Sequence, residues 1–169
     1  MSLTGCSRPS VSQAVEHRVH RTLVSVPVSR TGLVSESHHV LVWHEGEAVR
    51  AASDDHGQAV GYEETSGATL GGRNPLSVAD EAQPALEAQG WHIDRFVRPP
   101  QLGESGVVLD GVRGDDIVHI WLSDRGLANV SVRACLHGVF RAVGTGPGPS
   151  PPIPPPYDKQ APVLLTCRA

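Results

Sequence analysis

Apolar and polar residues recur along this chain with two different periods, which divide it into helices and strands. Val11, Ala14, Val15, Val19 and Leu23 repeat at helical spacing. Ser10-Val11-Ser12-Gln13 has the form of a capping box, so a first helix is predicted from about Val11 to Thr22, with Pro27 closing the helical option. A second helix is predicted with Ser77 as N-cap and with Asp80 and Glu81 in its first turn, where the helix dipole favours acids. Val78, Ala82, Ala85, Leu86 and Gln89 share one side, and Gly90 is the stop. Pro84 removes a helical hydrogen bond, so a kink or early break is expected there.

Elsewhere the period is two. His38 to Trp43 is rich in β-formers, and Gly46 turns it toward a second strand near Glu47 to Ala52. Asp54-Asp55-His56-Gly57 is a turn signal, with a third strand expected near Gln58 to Glu63. Thr65 to Pro75 is glycine-rich and reads as a loop between two halves. His92 to Val97 is a strand. Gly106 to Val112 and Ile117 to Leu122 make a hairpin around Arg113-Gly114-Asp115-Asp116. Val118, Ile120 and Leu122 then point one way, His119 and Trp121 the other. From Leu127 to Phe140, Val130, Val132, Ala134 and Leu136 form an apolar face; Asn129, Ser131, Arg133, Cys135 and His137 form a polar one. This is the alternation of an antiparallel sheet with one covered side. The expected fold class is α+β, an antiparallel meander with two helices packed on one face.

Length bounds the organisation. The 169 residues suit one domain, or at most two small ones. We divide them into a lipobox remnant and tether (1–10), an α+β domain (11–143, with possible halves 11–64 and 76–143) and a Pro/Gly-rich segment with a C-terminal strand (144–169). Aromatics are only 4%, so the core has to come from Val, Leu, Ala and Ile. The net charge of −4, with no Lys/Arg stripe, argues against a nucleic-acid partner. No run of about 18 apolar residues is present to make a membrane-spanning helix.

Leu3-Thr4-Gly5-Cys6 matches the lipobox of bacterial lipoproteins: an aliphatic residue, two small ones, then the cysteine that is acylated and becomes the mature N-terminus. Only Met1 and Ser2 precede it, against the apolar stretch of roughly 7–15 residues in a secretory signal. The competing reading is a cytosolic N-terminus with a stray cysteine. Ser7-Arg8-Pro9-Ser10 suits a polar tether. Of the three cysteines, lipidation of Cys6 leaves Cys135 and Cys167 as a disulfide pair; two free thiols are the alternative. The lipobox, and the helix–strand–hairpin–strand order of the second half with Gln89-Gly90-Trp91 closing its helix, resemble small uncharacterised lipoproteins of actinobacteria. The resemblance implies an envelope-attached, disulfide-closed α+β domain without assigned activity. Its single lysine, Lys159, against many arginines fits a GC-rich genome.

Candidate chemistry is sparse. Nine histidines are many for this length. His17 and His20 share a helical face, and with His38 and His39 they make a conceivable metal site, although no spacing matches a known ligand set. There is no Gly-x-Ser-x-Gly elbow, no Walker loop and no Cys-x-x-Cys pair, so no catalytic residue and no cofactor is assigned. Asp54-Asp55 and Asp115-Asp116 read as solvated turn acids, and Arg113-Gly114-Asp115 as an ordinary hairpin turn. The expected role is a non-catalytic binding or accessory module at the cell envelope. Its partners would be the membrane, through a lipid anchor, and an unknown envelope protein or ligand. The expected contact surface carries His119, Trp121, Arg133 and His137, since exposed aromatics beside arginine are common recognition residues. The alternative for Trp121 is a core position covered by the tail.

Overall fold

The computed structural model describes residues 7–28, 32–98, 104–142 and 164–169. The expected lipobox, Leu3 to Cys6, and the Pro/Gly-rich residues 144–163 lie outside the described residues.

Helix α1 (Gln13–Ser25) starts two residues later than its capping box suggests and continues past Thr22. Ser12, not Ser10, is the N-cap, its side chain accepting from the Val15 amide at 3.4 Å. The helix buries Val19, Thr22 and Leu23 against the sheet, the last of them in the extension. Helix α2 (Pro75–Glu87) starts earlier than Ser77. Asn74 caps it, accepting from the Leu76 amide at 2.8 Å, and Pro75 takes the first helical position, where its missing N–H costs nothing. Asp80 and Glu81 therefore fall beyond the first turn. They accept from Arg95 and Arg73 instead. Pro84 does not break the helix: it is exposed, and its own carbonyl still accepts from the Ala88 amide at 2.9 Å. Gly90, at φ 88°, stops the helix as expected.

The strands β1 (Leu33–His44), β2 (Glu47–Arg50), β3 (Ala59–Thr69), β4 (His92–Arg98), β5 (Gly106–Arg113), β6 (Asp116–Ser123) and β7 (Leu127–Cys135) form one antiparallel sheet of order β2-β1-β3-β7-β6-β5-β4. The expected loop from Thr65 is strand as far as Thr69. There Ser66 and Ala68 are buried opposite Val130 and Ala128, and Gly67 leaves room for the Ser35 side chain. Pairing of β3 with β7 joins segments 11–64 and 76–143 in a single sheet.

Both helices cover one face, α1 on β3 and β7, α2 on β4, β5 and β6. Val118, Ile120, Leu122, Val130, Val132 and Ala134 point into that core from the sheet, meeting Val19, Leu23, Val78, Ala82 and Leu86 from the helices. Burial, followed by the charges of Glu64 and Glu16, pushes the Tyr62 phenol up to about 12, so it stays neutral within this layer.

The other face is partly covered. The stretch from Leu127 to Phe140 is not one strand. It breaks after Cys135, and β8 (Val139–Ala142) leaves the main sheet to pair with β9 (Leu164–Cys167). Leu136, expected on the apolar face, is 38% exposed in that break. The disulfide between Cys135 and Cys167 holds the two-stranded ribbon down, with Cα atoms 5.2 Å apart. Leu165 packs with Leu41, Val60 and Ile117, and Trp43 meets Phe140 edge-on with centroids 6.1 Å apart. Gly61 permits this approach: a Cβ there would lie 2.7 Å from the Ala134 carbonyl and 3.0 Å from Cys167 Sγ.

The cysteines are 32 positions apart in sequence. Chain entropy for a loop of that size predicts that the Cys135→Ser/Cys167→Ser double variant loses about 3–4 kcal/mol of stability. Urea denaturation checks the loss, and hydrogen exchange checks that protection disappears from β8 and β9 while β5–β7 keep theirs.

Candidate binding cleft on the open sheet face

Where the ribbon stops, the polar side of the sheet forms, among the described residues, an open cleft of about 280 Å³. Alternation along β3, β5, β6 and β7 delivers its side chains: Glu63 from β3, Asp110 from β5, His119 from β6, Ser131 and Arg133 from β7. Arg50 reaches in from β2, and Leu165 of β9 supplies an apolar wall.

Glu63 is the hub and is completely buried. It takes the Arg50 Nε at 2.6 Å on one oxygen. The other oxygen accepts the Arg133 Nε and the Ser131 hydroxyl, the latter at 3.0 Å. Burial alone would raise its pKa; the charges and hydrogen bonds of Arg133 and Arg50 outweigh that and hold the carboxyl below its ordinary value of 4.5.

Asp110, His119 and Ser131 lie in one register row across β5, β6 and β7. The His119 Nδ1 is 2.5 Å from Asp110. That places carboxylate, imidazole and hydroxyl side by side, but the hydroxyl donates to Glu63 rather than to the imidazole. A serine nucleophile needs a base within hydrogen-bond reach. In this arrangement Ser131 is instead a support for the buried carboxylate.

Of the four residues expected on the contact surface, the structure brings His119 and Arg133 into the cleft. Trp121 lies on the same face but outside it, half-buried, with the Arg98 guanidinium 5.7 Å from its ring centre. The ribbon packs over Ile117, Leu41 and Val60, and among the described residues it does not cover Trp121. His137 sits in the exposed break after β7 and contributes its carbonyl, which accepts from Arg168 at 2.8 Å. Arg50 and Glu63 escaped sequence reading. The available signal was a charged residue at an inward position of β3, hidden because that strand was read as ending there.

The four histidines of the metal reading, His17, His20, His38 and His39, are split between the two sides of the sheet. His20 pairs with Glu64 at 2.7 Å on the helix side, and His38 lies opposite Glu64 on that side. Its neighbour His39 lies opposite Glu63 on the open side. Among the described residues, no group of three or more His, Cys, Asp or Glu is arranged to hold a metal. Nor are the turn acids all solvated. Asp116 is buried and takes Arg18 at 3.0 Å. Asp55 accepts from His44 and from the Gly57 amide, which together lower its pKa. Comparison with protein-family models, with curated proteins and with solved structures finds no match.

Removing one side of a buried pair costs most when it strands the buried charge. Arg133→Met is therefore expected to destabilise more than Glu63→Gln, which removes the buried charge itself; urea midpoints of the two variants decide the order. Because folding lowers the Glu63 pKa, the native state binds fewer protons than the unfolded chain near pH 4.5. The stability Glu63 contributes is complete above that value and is lost as pH falls through the lowered one. Acid unfolding curves should show this slope in the wild type and a shallower one in Glu63→Gln.

Proposed function

We propose that this protein is an exported, lipid-anchored module of the bacterial cell envelope that binds rather than catalyses, with the cleft on the open sheet face as its contact surface. The observation that carries the binding role is the uneven cover of the sheet. One face is sealed by two helices, while the other presents a cleft of fixed, charged side chains beside the ribbon. A concave site with a few convergent polar groups is the usual form of a binding site.

The envelope location is supported by the motif Leu3-Thr4-Gly5-Cys6 and by the pairing of Cys135 with Cys167. Disulfides persist in oxidising compartments, and this pairing leaves Cys6 as the remaining cysteine, available for acylation. One acyl chain anchors only marginally, so stable attachment takes the multiply acylated cysteine of a bacterial lipoprotein. The partner is an envelope protein or ligand that meets the open face.

The test is the mass of the protein expressed from its own gene, upstream codons included, in a bacterial host. The expected result is an acylated N-terminal Cys6 together with a bridged Cys135–Cys167 peptide. An unmodified Met1 with three free thiols sinks the envelope assignment and moves the protein to the cytosol.

A further inference from the structure

The two arginines beside Glu63 are used unevenly. Each gives Glu63 only its Nε, and among the described residues neither guanidinium has any other hydrogen bond or ion pair. The terminal nitrogens of both remain, and the side chains are 52% and 29% exposed for Arg50 and Arg133. Their Nε atoms are thus pinned to a buried carboxylate, and both side chains line the cleft. Two guanidiniums against one carboxylate leave a surplus of one positive charge. The other acid lining the cleft is Asp110. It lies two strands from β7 and is engaged by His119.

We propose that the cleft binds a small oxyanion, the carboxylate or phosphate group of a ligand, between the terminal guanidinium nitrogens of Arg50 and Arg133. Planar guanidinium forks match the oxygen spacing of both groups. Glu63 and Ser131 hold the forks in place before the ligand arrives, which removes ordering cost from binding. A cleft of about 280 Å³ sits at the small end of ligand sites, so the occupant is a head group rather than an extended chain. The Leu165 wall is the place for an apolar carbon next to that group.

The assignment rests on the reading of the open face as a binding surface. It is tested on the oxidised, full-length purified chain by titrating inorganic phosphate and, separately, acetate against sodium chloride of matched ionic strength. The readout is the arginine side-chain and His119 ring resonances of nitrogen-15-labelled protein. Saturable shifts at Arg50 and Arg133 are expected. Response to phosphate alone marks a phosphate-bearing ligand, to acetate alone a carboxylate, and to both a general oxyanion site. Arg50→Gln keeps Arg133 on Glu63, so the fold should be retained, and it should weaken binding roughly tenfold. No saturable shift with either anion in the wild type overturns the proposal, as does a shift that Arg50→Gln leaves unchanged. A cleft that ignores both anions yet responds to a neutral probe such as glucose loses the oxyanion and keeps the binding role. The acylation state of Cys6 does not enter this measurement.

Discussion

A carboxylate with no access to water has to be answered by positive charge, and Glu63 is answered twice. Its partners come from two other strands: Arg50 from β2, 13 positions earlier, and Arg133 from β7, 70 positions later. Breaking either pairing of β3 would leave a buried charge short of a partner, a penalty that greatly exceeds the worth of an exposed ion pair. The carboxylate therefore ties the register of the central strands to the arrangement of the polar face. A slip of one residue would send Glu63 into the helix-side core and Tyr62 to the open side.

That long reach explains which parts of the molecule were legible in the sequence. The alternation of Val118, Ile120 and Leu122 with His119 and Trp121 is local, and it assigned the two faces of β6 correctly. So did the turn at Gly114-Asp115 for the β5–β6 hairpin. The pairing of Cys135 with Cys167 was expected once Cys6 was set aside for lipidation, with two free thiols as the alternative. What failed was either a competition between neighbouring signals or a contact across the fold. Asn74-Pro75 outcompeted Ser77 for the start of α2. Glycines 67, 71 and 72 looked like a loop, although Gly67 lies in β3 paired with Asn129, where its missing side chain leaves room for Ser35. Glu63 had no local signature, since its meaning lies in residues that only the sheet brings beside it.

The two faces also divide the functional problem. The helix side is a conventional apolar core, its polar periphery tied by His20–Glu64 and Arg18–Asp116. The open side is built from charges held by ion pairs and, among the described residues, is covered by the ribbon over part of its area. Rigidity on one side supports precision on the other: side chains projecting from central strands are placed more accurately than any on a loop. Trp121 and Arg98 lie on the same face beyond the cleft, the guanidinium 5.7 Å from the ring centre.

The ribbon has a topological side. Its two strands are joined through residues 143–163, and the bond from Cys135 to Cys167 closes that stretch into a covalent ring. A ring can be opened once without falling apart. A protease that cuts between Ala142 and Leu164 adds one water to the mass and leaves β9 attached to β7 through sulfur. The polypeptide would then be two chains, and the wall that Leu165 gives the cleft would still be bound to the molecule.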